Sequence, residues 1–301
     1  MKDFPLPVLA FGSGSQPVED EELQFLAMPR EMTTFEMPRV PEDADVGALR
    51  SARDVLARFL TRMTDWDPAT PGRGPDVDLN GLSAPVLAIV DDMLGEGEVA
   101  VRVDGERPFR IQESVFTGVW RVCMLDGNGR LLADWIEAGA LPPLVGEAAR
   151  AAASTAPPLV DVPAGAMNSP ALLAEIGSQM ASRVANRVSA RDVETAAHVI
   201  NLTLFPLTPD DHRVLEQALP VGPVAMISRG FGNCHITSTR LRDVWRVQYF
   251  NSMKTLILNT VEVVDVPAVA LAAPEDLVES RQRMAELIAW MGECCADSTE
   301  H

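Results

Sequence analysis

Val119-Trp120-Arg121-Val122 returns 125 residues later as Val244-Trp245-Arg246-Val247. When the chain is slid against itself by 125 residues without a gap, thirteen residue pairs are identical across the 49 positions from Leu94 to Pro142. Identities this dense in one fixed register indicate an internal repeat that is longer than a solenoid repeat. The sequence therefore predicts an α+β fold made of two tandem related units, each with helices and a small, mainly antiparallel sheet.

The predicted elements follow from apolar spacing. Short stretches rich in β-branched and aromatic residues predict strands over 98–103, 109–115, 119–125 and 131–136. Apolar residues at three- and four-residue steps predict a helix near 49–63, and Ser83 and Thr208 are expected to cap two further short helices. Later helices are predicted from Ser169, over 193–202, and from Pro274 to about Gly292, whereas residues 76–82 are expected to form a loop.

The repeat and the composition together suggest three regions. Residues 1–44 are rich in Pro, Glu and Met and are expected to form an extended acidic arm. The first α+β unit is assigned to residues 45–155. The second unit, with the C-terminal helix, is assigned to 156–301, because an Ala-rich stretch and Pro157-Pro158 mark the connection.

Composition and charge narrow the class of protein. The chain has 301 residues, 47% of them hydrophobic, and a formal net charge of -18. Such a charge repels nucleic acid, although in many acidic proteins a charge of this kind only maintains solubility. A leader-like N-terminal segment and an apolar run of about 20 residues are both missing from the sequence, so we expect neither membrane insertion nor secretion. Four cysteines are too few for a disulfide scaffold, which favours a reducing cytoplasm.

Known catalytic motifs are missing from the sequence. The chain has four histidines and contains no HExxH, CxxC, GxSxG or GxxxxGK[ST] string. Gly230-Phe231-Gly232-Asn233 lacks the third glycine of a dinucleotide fingerprint and is expected to form a tight turn. We therefore predict no enzyme activity and no cofactor.

The cysteines leave one alternative function open. Cys234 precedes His235, but adjacent strand residues point to opposite faces, so a buried Cys234 is the simpler interpretation. Cys294 and Cys295 lie at the end of the final predicted helix. A metal or redox protein that uses Cys234, Cys294 and Cys295 is the second hypothesis.

The two copies of the motif differ in charge. Trp120 and Trp245 are expected to fill the core of each unit. Arg240, Arg242 and Arg246 share strand parity and would form a basic stripe if no bulge intervenes. This stripe is either a solvated face neutralised by local acids or a surface that recognises carboxylates or main-chain carbonyls of a protein partner.

The stretch from Arg229 to Met253, followed by Thr255–Asn259, closely resembles the HupH/HoxQ/HyaF family of hydrogenase expression and maturation proteins. The similarity is specific between Ser228 and about Ala273 and weaker through the first copy. This resemblance implies an accessory protein of uptake nickel-iron hydrogenases, a dedicated cytoplasmic chaperone for the iron-sulfur small-subunit precursor before its assembly and export.

The resemblance supplies no catalytic residue. It makes eight motif positions candidates for a partner-binding surface: Arg229, Gly230, Phe231, Gly232, Asn233, Arg240, Arg242 and Arg246. The expected partner carries a cationic twin-arginine leader, which an acidic chain attracts. A second small-subunit chaperone is a further candidate partner.

Overall fold

The computed structural model describes residues 45–68, 73–188, 196–230 and 232–297. These residues all belong to one compact unit, Met37–His301. The extended arm expected over residues 1–44 and the position of Phe231 lie outside the described residues.

Strands form where the sequence alternates apolar and polar residues. Their bounds are β1 (Asp76–Asp78), β2 (Val99–Val103), β3 (Phe109–Glu113), β4 (Val119–Leu125), β5 (Leu131–Ala138), β6 (His198–Asn201), β7 (Val221–Ser228), β8 (Asn233–Thr239), β9 (Val244–Phe250) and β10 (Leu256–Val263). The described strands pair antiparallel in one ten-stranded sheet of order β1-β5-β4-β3-β2-β7-β8-β9-β10-β6. The α+β class is confirmed.

The sheet has two halves with the same strand order. Reading inward from either edge, the first half runs β1-β5-β4-β3-β2 and the second half runs β6-β10-β9-β8-β7. β2 and β7 join the halves, in a register centred on the pair Val101–Met226. The expectation of a separate small sheet in each unit is therefore wrong, because the backbone groups of β2 and β7 satisfy one another.

Helices occur where apolar residues recur at helical spacing. Their bounds are α1 (Val46–Thr64), α2 (Ala84–Leu94), α3 (Pro143–Ala151), α4 (Ser169–Val188), α5 (Pro209–Ala218) and α6 (Pro274–Asp297), with 3-10 turns at Leu202–Leu204 and Ala268–Ala270. None of the described helices combines the length and the apolar character that a bilayer crossing demands.

One face of the sheet carries an apolar core that both halves share. In β2, Val99, Val101 and Val103 are buried, while Ala100 and Arg102 point to the other face. The valine, isoleucine and tryptophan side chains of β2–β4 and β7–β9 form a single cluster with residues of α3. This continuous cluster joins the two halves more firmly than the pairing of β2 with β7 alone.

The opposite face is covered at its two ends. Helices α1, α2 and α6 pack over the β1–β5 end, and helices α4 and α5 pack over the β10–β6 end. Between these helix groups, the described elements leave the polar side of β2, β3, β7 and β8 as the floor of an open trough.

Helix α6 follows the second half in sequence but packs on the first. It contacts α1, and the Arg283 guanidinium donates to the carbonyl of Val115 at 3.1 Å and lies 5.5 Å from the Phe116 ring centroid. Gly118 has φ of +78°, and a Cβ there would lie 2.3 Å from a methyl carbon of Leu277. A glycine is required at this position for both reasons.

Two sequence predictions for local structure are wrong. Within the helix predicted over 193–202, residues 198–201 form strand β6, while 189–195 lie outside the described residues. The β-branched pair Val199 and Ile200 favours a strand, and β6 satisfies the outer backbone groups of β10. Residues 76–78, expected in a loop, form β1, which pairs with β5 in the same way.

The two predicted helix caps differ. Thr208 accepts a hydrogen bond from the Asp211 amide at 3.1 Å, and the Asp211 carboxylate accepts one from the Thr208 amide at 3.0 Å, which completes a capping box. Ser83 occupies the corresponding N-cap of α2, but its side chain makes no capping hydrogen bond. The N-cap position was predicted correctly for both residues, but the predicted capping hydrogen bond forms only at Thr208.

Candidate partner-binding site

The turn that contains Gly230 and Gly232 lies at the junction of the two halves. It connects β7 to β8, and the Arg229 amide donates to the carbonyl of Glu98, directly before β2, at 3.1 Å. A Cβ on Gly230 would lie 1.9 Å from a carboxylate oxygen of Glu98, and Gly232 has φ of +95°. The two glycines therefore allow this turn to approach the first half closely, with Arg229 and Asn233 exposed beside it.

The basic stripe does not form as a strand face. Arg240 and Arg242 lie in the turn between β8 and β9, and only Arg246 lies in a strand. The turn includes Asp243 at φ of +59°, so the strand alternation is interrupted. Arg240 is exposed and Arg242 is half-buried. The continuous stripe predicted from parity is wrong, because the chain reverses direction between Arg242 and Arg246.

Arg121 and Arg246 occupy the same place in the two halves but have different surroundings. Each is the third residue of its strand, β4 or β9, and both strands show the same order of buried and half-buried residues. Arg121 forms a two-point pair with Asp134 of β5, with Nε–Oδ1 at 3.0 Å and Nη2–Oδ2 at 2.7 Å, and it also contacts Asp91 of α2. The charge of Arg121 is thus neutralised from within the fold.

Arg246 has no such carboxylate among the described residues. Its Nε is buried without a hydrogen-bond partner, and so is Oδ1 of Asn259 on β10. Loss of hydration lowers the pKa of Arg246, an effect that the more distant charge of Glu216 only partly opposes. The second half therefore holds a partly dehydrated guanidinium that the described part of the fold does not neutralise.

The open trough at the centre of the sheet lies beside these groups. It has a volume of about 510 Å³ and is lined from both halves. Arg102, Arg110 and Arg121 of the first half line one side, and Ile227, His235 and Thr237 of the second half line the other. Of the three arginines, Arg102 pairs with Asp104 and Arg121 with Asp134, whereas Arg110 forms no ion pair with the described residues. The floor also exposes Ile227 and His235.

Trp120 and Trp245 lie on the other face, inside the shared core. Their relative exposures are 0% and 1%, and each indole nitrogen donates to a backbone carbonyl, Trp120 to Gly139 at 2.9 Å and Trp245 to Asp265 at 3.1 Å. Their role is to support the sheet that carries the trough.

Cys123 and Cys234 lie in environments that favour the thiol. Burial raises the pKa of both Cys123 and Cys234 to about 11. Cys295 is buried among residues of α1, α2 and α6, with Cys294 packed against the same cluster. Across the described ranges, no group of three or more His, Cys, Asp or Glu side chains has the arrangement of a metal site. These features give no support to the cysteine-based alternative function.

A model of the "HupH hydrogenase expression protein, C-terminal conserved region" matches this chain twice, at residues 49–162 and 166–291. The chain belongs to the HupH family. The repeated match indicates an internal duplication, and the paired strand orders of the two halves agree with it. A single offset of 125 residues throughout the repeat stays a prediction.

Curated relatives in the HupH family match nearly the whole chain. The "Hydrogenase expression/formation protein HoxQ" of Cupriavidus necator is 41% identical over 97% of this chain and 99% of its own length. The "Hydrogenase expression/formation protein HupH" of Rhodobacter capsulatus is 40% identical over 96% and 98%, respectively. The "Hydrogenase-1 operon protein HyaF" of Escherichia coli K12 is 34% identical over 94% and 95%. Names that refer to expression and formation suggest an accessory, non-catalytic role.

The trough itself was not anticipated from the sequence. Arg102 and Arg110 fall on non-core positions of two strands, and they become cross-strand neighbours only through the register of β2 with β3. Like charges in this position repel one another. The sequence showed only that Arg102 and Arg110 lie on the polar faces of two consecutive strands. The pairing of β2 with β7 was needed to place them at the centre of the sheet.

Proposed function

We propose that this HupH-family protein is a cytoplasmic accessory chaperone in the maturation of an uptake nickel-iron hydrogenase. It binds the iron-sulfur small-subunit precursor and holds it until assembly and export. The observation that carries the proposal is the similarity, at about 40% identity over almost the full chain, to proteins named for hydrogenase expression and formation. A maturation role requires contact with a hydrogenase-related partner.

The structure offers a surface suited to such contact. Binding proteins need an uncovered face, and the described residues leave the trough at the centre of the sheet open. The exposed residues of the turn at the junction, Arg229 and Asn233, extend the same region. In this proposal, residues 229–233, of which Phe231 lies outside the described residues, and the arginines 240, 242 and 246 contribute to the partner surface.

Charge gives the proposal a second, longer-range component. A precursor with a twin-arginine leader presents a cationic segment, and the net charge of -18 attracts it. This attraction acts over a Debye length of about 8 Å at physiological salt and weakens as salt increases. It steers the encounter, whereas the trough and its surroundings provide the specific contact.

The test is co-purification from cells that express the hydrogenase operon. The tagged chain is expected to retain the small-subunit precursor, and deletion of the leader is expected to reduce capture in a salt-dependent way. Mass spectrometry of the same samples would detect a second chaperone. Failure of the full precursor to co-purify under any salt condition contradicts the proposed function.

A double variant tests the turn between β8 and β9. Arg240→Glu with Arg242→Glu reverses both charges, and capture of the precursor is expected to fall if this turn contributes. Normal folding together with unchanged capture removes the turn from the partner surface and leaves the trough. The matched control is Arg130→Glu, a charge reversal in the exposed turn between β4 and β5.

A further inference from the structure

We propose that Arg246 is the anchor for a partner segment that carries an aspartate or glutamate side chain, and that this segment lies in the trough. The proposal rests on the proposed function for the identity of the partner as a protein, and it adds the chemistry of the contact. It follows from a comparison of two equivalent arginines within one chain.

The first half shows what this arginine position binds. Strand register places Asp134 of β5 opposite Cys123 of β4, two residues beyond Arg121. From there Asp134, itself 1% exposed, reaches Arg121 with both carboxylate oxygens. Guanidinium and carboxylate match in this two-point geometry, and the pair is stronger than a neutral hydrogen bond.

The second half has the same strand register without the acid. Register places Asn259 of β10 opposite Gln248 of β9, two residues beyond Arg246. An amide stands where the first half has a carboxylate, and neither Arg246 Nε nor Asn259 Oδ1 has a partner among the described residues. Glu216 of α5 contributes only long-range attraction, because no acid of the described residues forms an ion pair with Arg246 within 4.0 Å. The second half thus holds a guanidinium in a carboxylate-binding position that the described residues leave unfilled.

The unfilled position is reached from the trough. Thr237 is the cross-strand neighbour of Arg246 and lines the trough, with His235 two residues before it on β8. Arg246 is half-buried, and of its three guanidinium nitrogens only Nε is among the buried atoms without a partner. In the proposed complex, an acidic side chain that enters over Thr237 reaches the Nη atoms.

The rest of the trough favours an acidic segment with aliphatic residues. Ile227 is 40% exposed and pairs with His235, whose ring lies 4.8 Å from that of Phe250. Across the trough, Arg102 and Arg110 are cross-strand neighbours; Arg102 pairs with Asp104 at 3.1 Å, whereas Arg110 forms no ion pair with the described residues and is open to an incoming carboxylate. Charge complementarity therefore selects an acidic segment, a different part of the partner from its cationic leader.

The decisive variant is Asn259→Asp, which rebuilds the first-half pair in the second half. The new carboxylate is expected to pair with Arg246 inside the protein. The variant should therefore stay folded and melt at a higher temperature, and we expect it to capture the precursor about tenfold less than wild type. The matched control is Asn251→Asp, which adds the same charge in the turn after β9. An aspartate there keeps the acceptor that receives the Met253 and Thr255 amides at 3.0 and 2.8 Å.

A direct titration separates this inference from the proposed function. N-acetyl-aspartate is added to the full chain while the Nε–H resonance of Arg246, assigned from its loss in Arg246→Lys, is followed by NMR. A saturable shift is expected in wild type and in Asn251→Asp, and no such shift in Asn259→Asp. Wild type without a saturable shift, or an equal shift in Asn259→Asp, overturns the site.

The capture experiment and the titration test different claims. Loss of precursor capture by wild type contradicts the proposed function, and the titration then still decides the carboxylate site. Full capture by a folded Asn259→Asp overturns the inference while the proposed function stands.

Discussion

The two halves of the sheet have the same strand order but differ in which polar side chains form stabilising pairs and helix caps. The first half neutralises its inner arginine, Arg121, with Asp134 and leaves the start of α2 without a side-chain cap. The second half caps α5 with Thr208 and Asp211 and leaves Arg246 unpaired among the described residues. Identical positions such as the tryptophans therefore maintain the fold, while the positions that differ distinguish what each half is able to bind.

The largest expected effect tests what the halves share. Trp120→Ala and Trp245→Ala each remove a fully buried indole from one core cluster, and each is expected to lower the free energy of unfolding by about 3–5 kcal/mol. Because the cluster spans both halves, urea unfolding is expected to stay a single transition in both variants. Two separate transitions, each sensitive to one tryptophan, would show that the halves fold independently. Leu159→Ala, at a fully exposed side chain, is the control.

A smaller effect tests the difference in arginine pairing. Asp134→Asn gives the first half the chemistry of the second, and we expect a loss of about 2–3 kcal/mol because a buried two-point pair is broken while Asp91 remains. Urea denaturation measures the loss. The control, Asp104→Asn, affects the exposed pair with Arg102 and is expected to change stability by less than about 1 kcal/mol. Equal stability of Asp134→Asn and wild type would mean that the pair contributes nothing.

The smallest effect concerns acid stability and the cap of α5. Burial alone raises the pKa of the Asp211 carboxyl, but hydrogen bonds from Ser169, Thr208 and Asn168 outweigh burial and hold the pKa well below its usual range. A lowered folded-state pKa adds stability above the ordinary value of about 4, and this stability is lost as pH falls towards the folded-state pKa.

Asp211→Asn is therefore expected to lower the melting temperature most at neutral pH, with the difference from wild type shrinking below about pH 4. Thermal melts across the pH range measure this dependence. Asp210→Asn, which changes the adjacent acid of the same helical turn, is the control. A difference between wild type and Asp211→Asn that is constant with pH would contradict the assignment.

Much of the fold could be predicted from the sequence because its pattern is local. Alternation in Val99–Val103 and in the motif around Trp120 placed β2 and β4 correctly. Short edge strands such as β1 carry too few residues to show a period. The pairing of β2 with β7 joins residues more than 120 positions apart, and no local pattern specifies it.

The candidate site was only partly accessible to sequence reasoning. Arg246 was identified because it lies in the repeated motif, but parity could not show that the chain reverses at Asp243. The contrast between Asp134 and Asn259 depends on strand register. The trough depends on which helices cover which end of the sheet, a tertiary property.

Helix α6 has a consequence for the order of events during synthesis. The buried side of α1 is completed by Met284, Leu287 and Met291 of α6, which emerge from the ribosome after every strand has been translated. A nascent chain that ends before α6 exposes that apolar surface, and such surfaces recruit other chains when they stay uncovered. The protein proposed to shelter an unfinished partner thus exposes an apolar surface of its own until α6 has been synthesised.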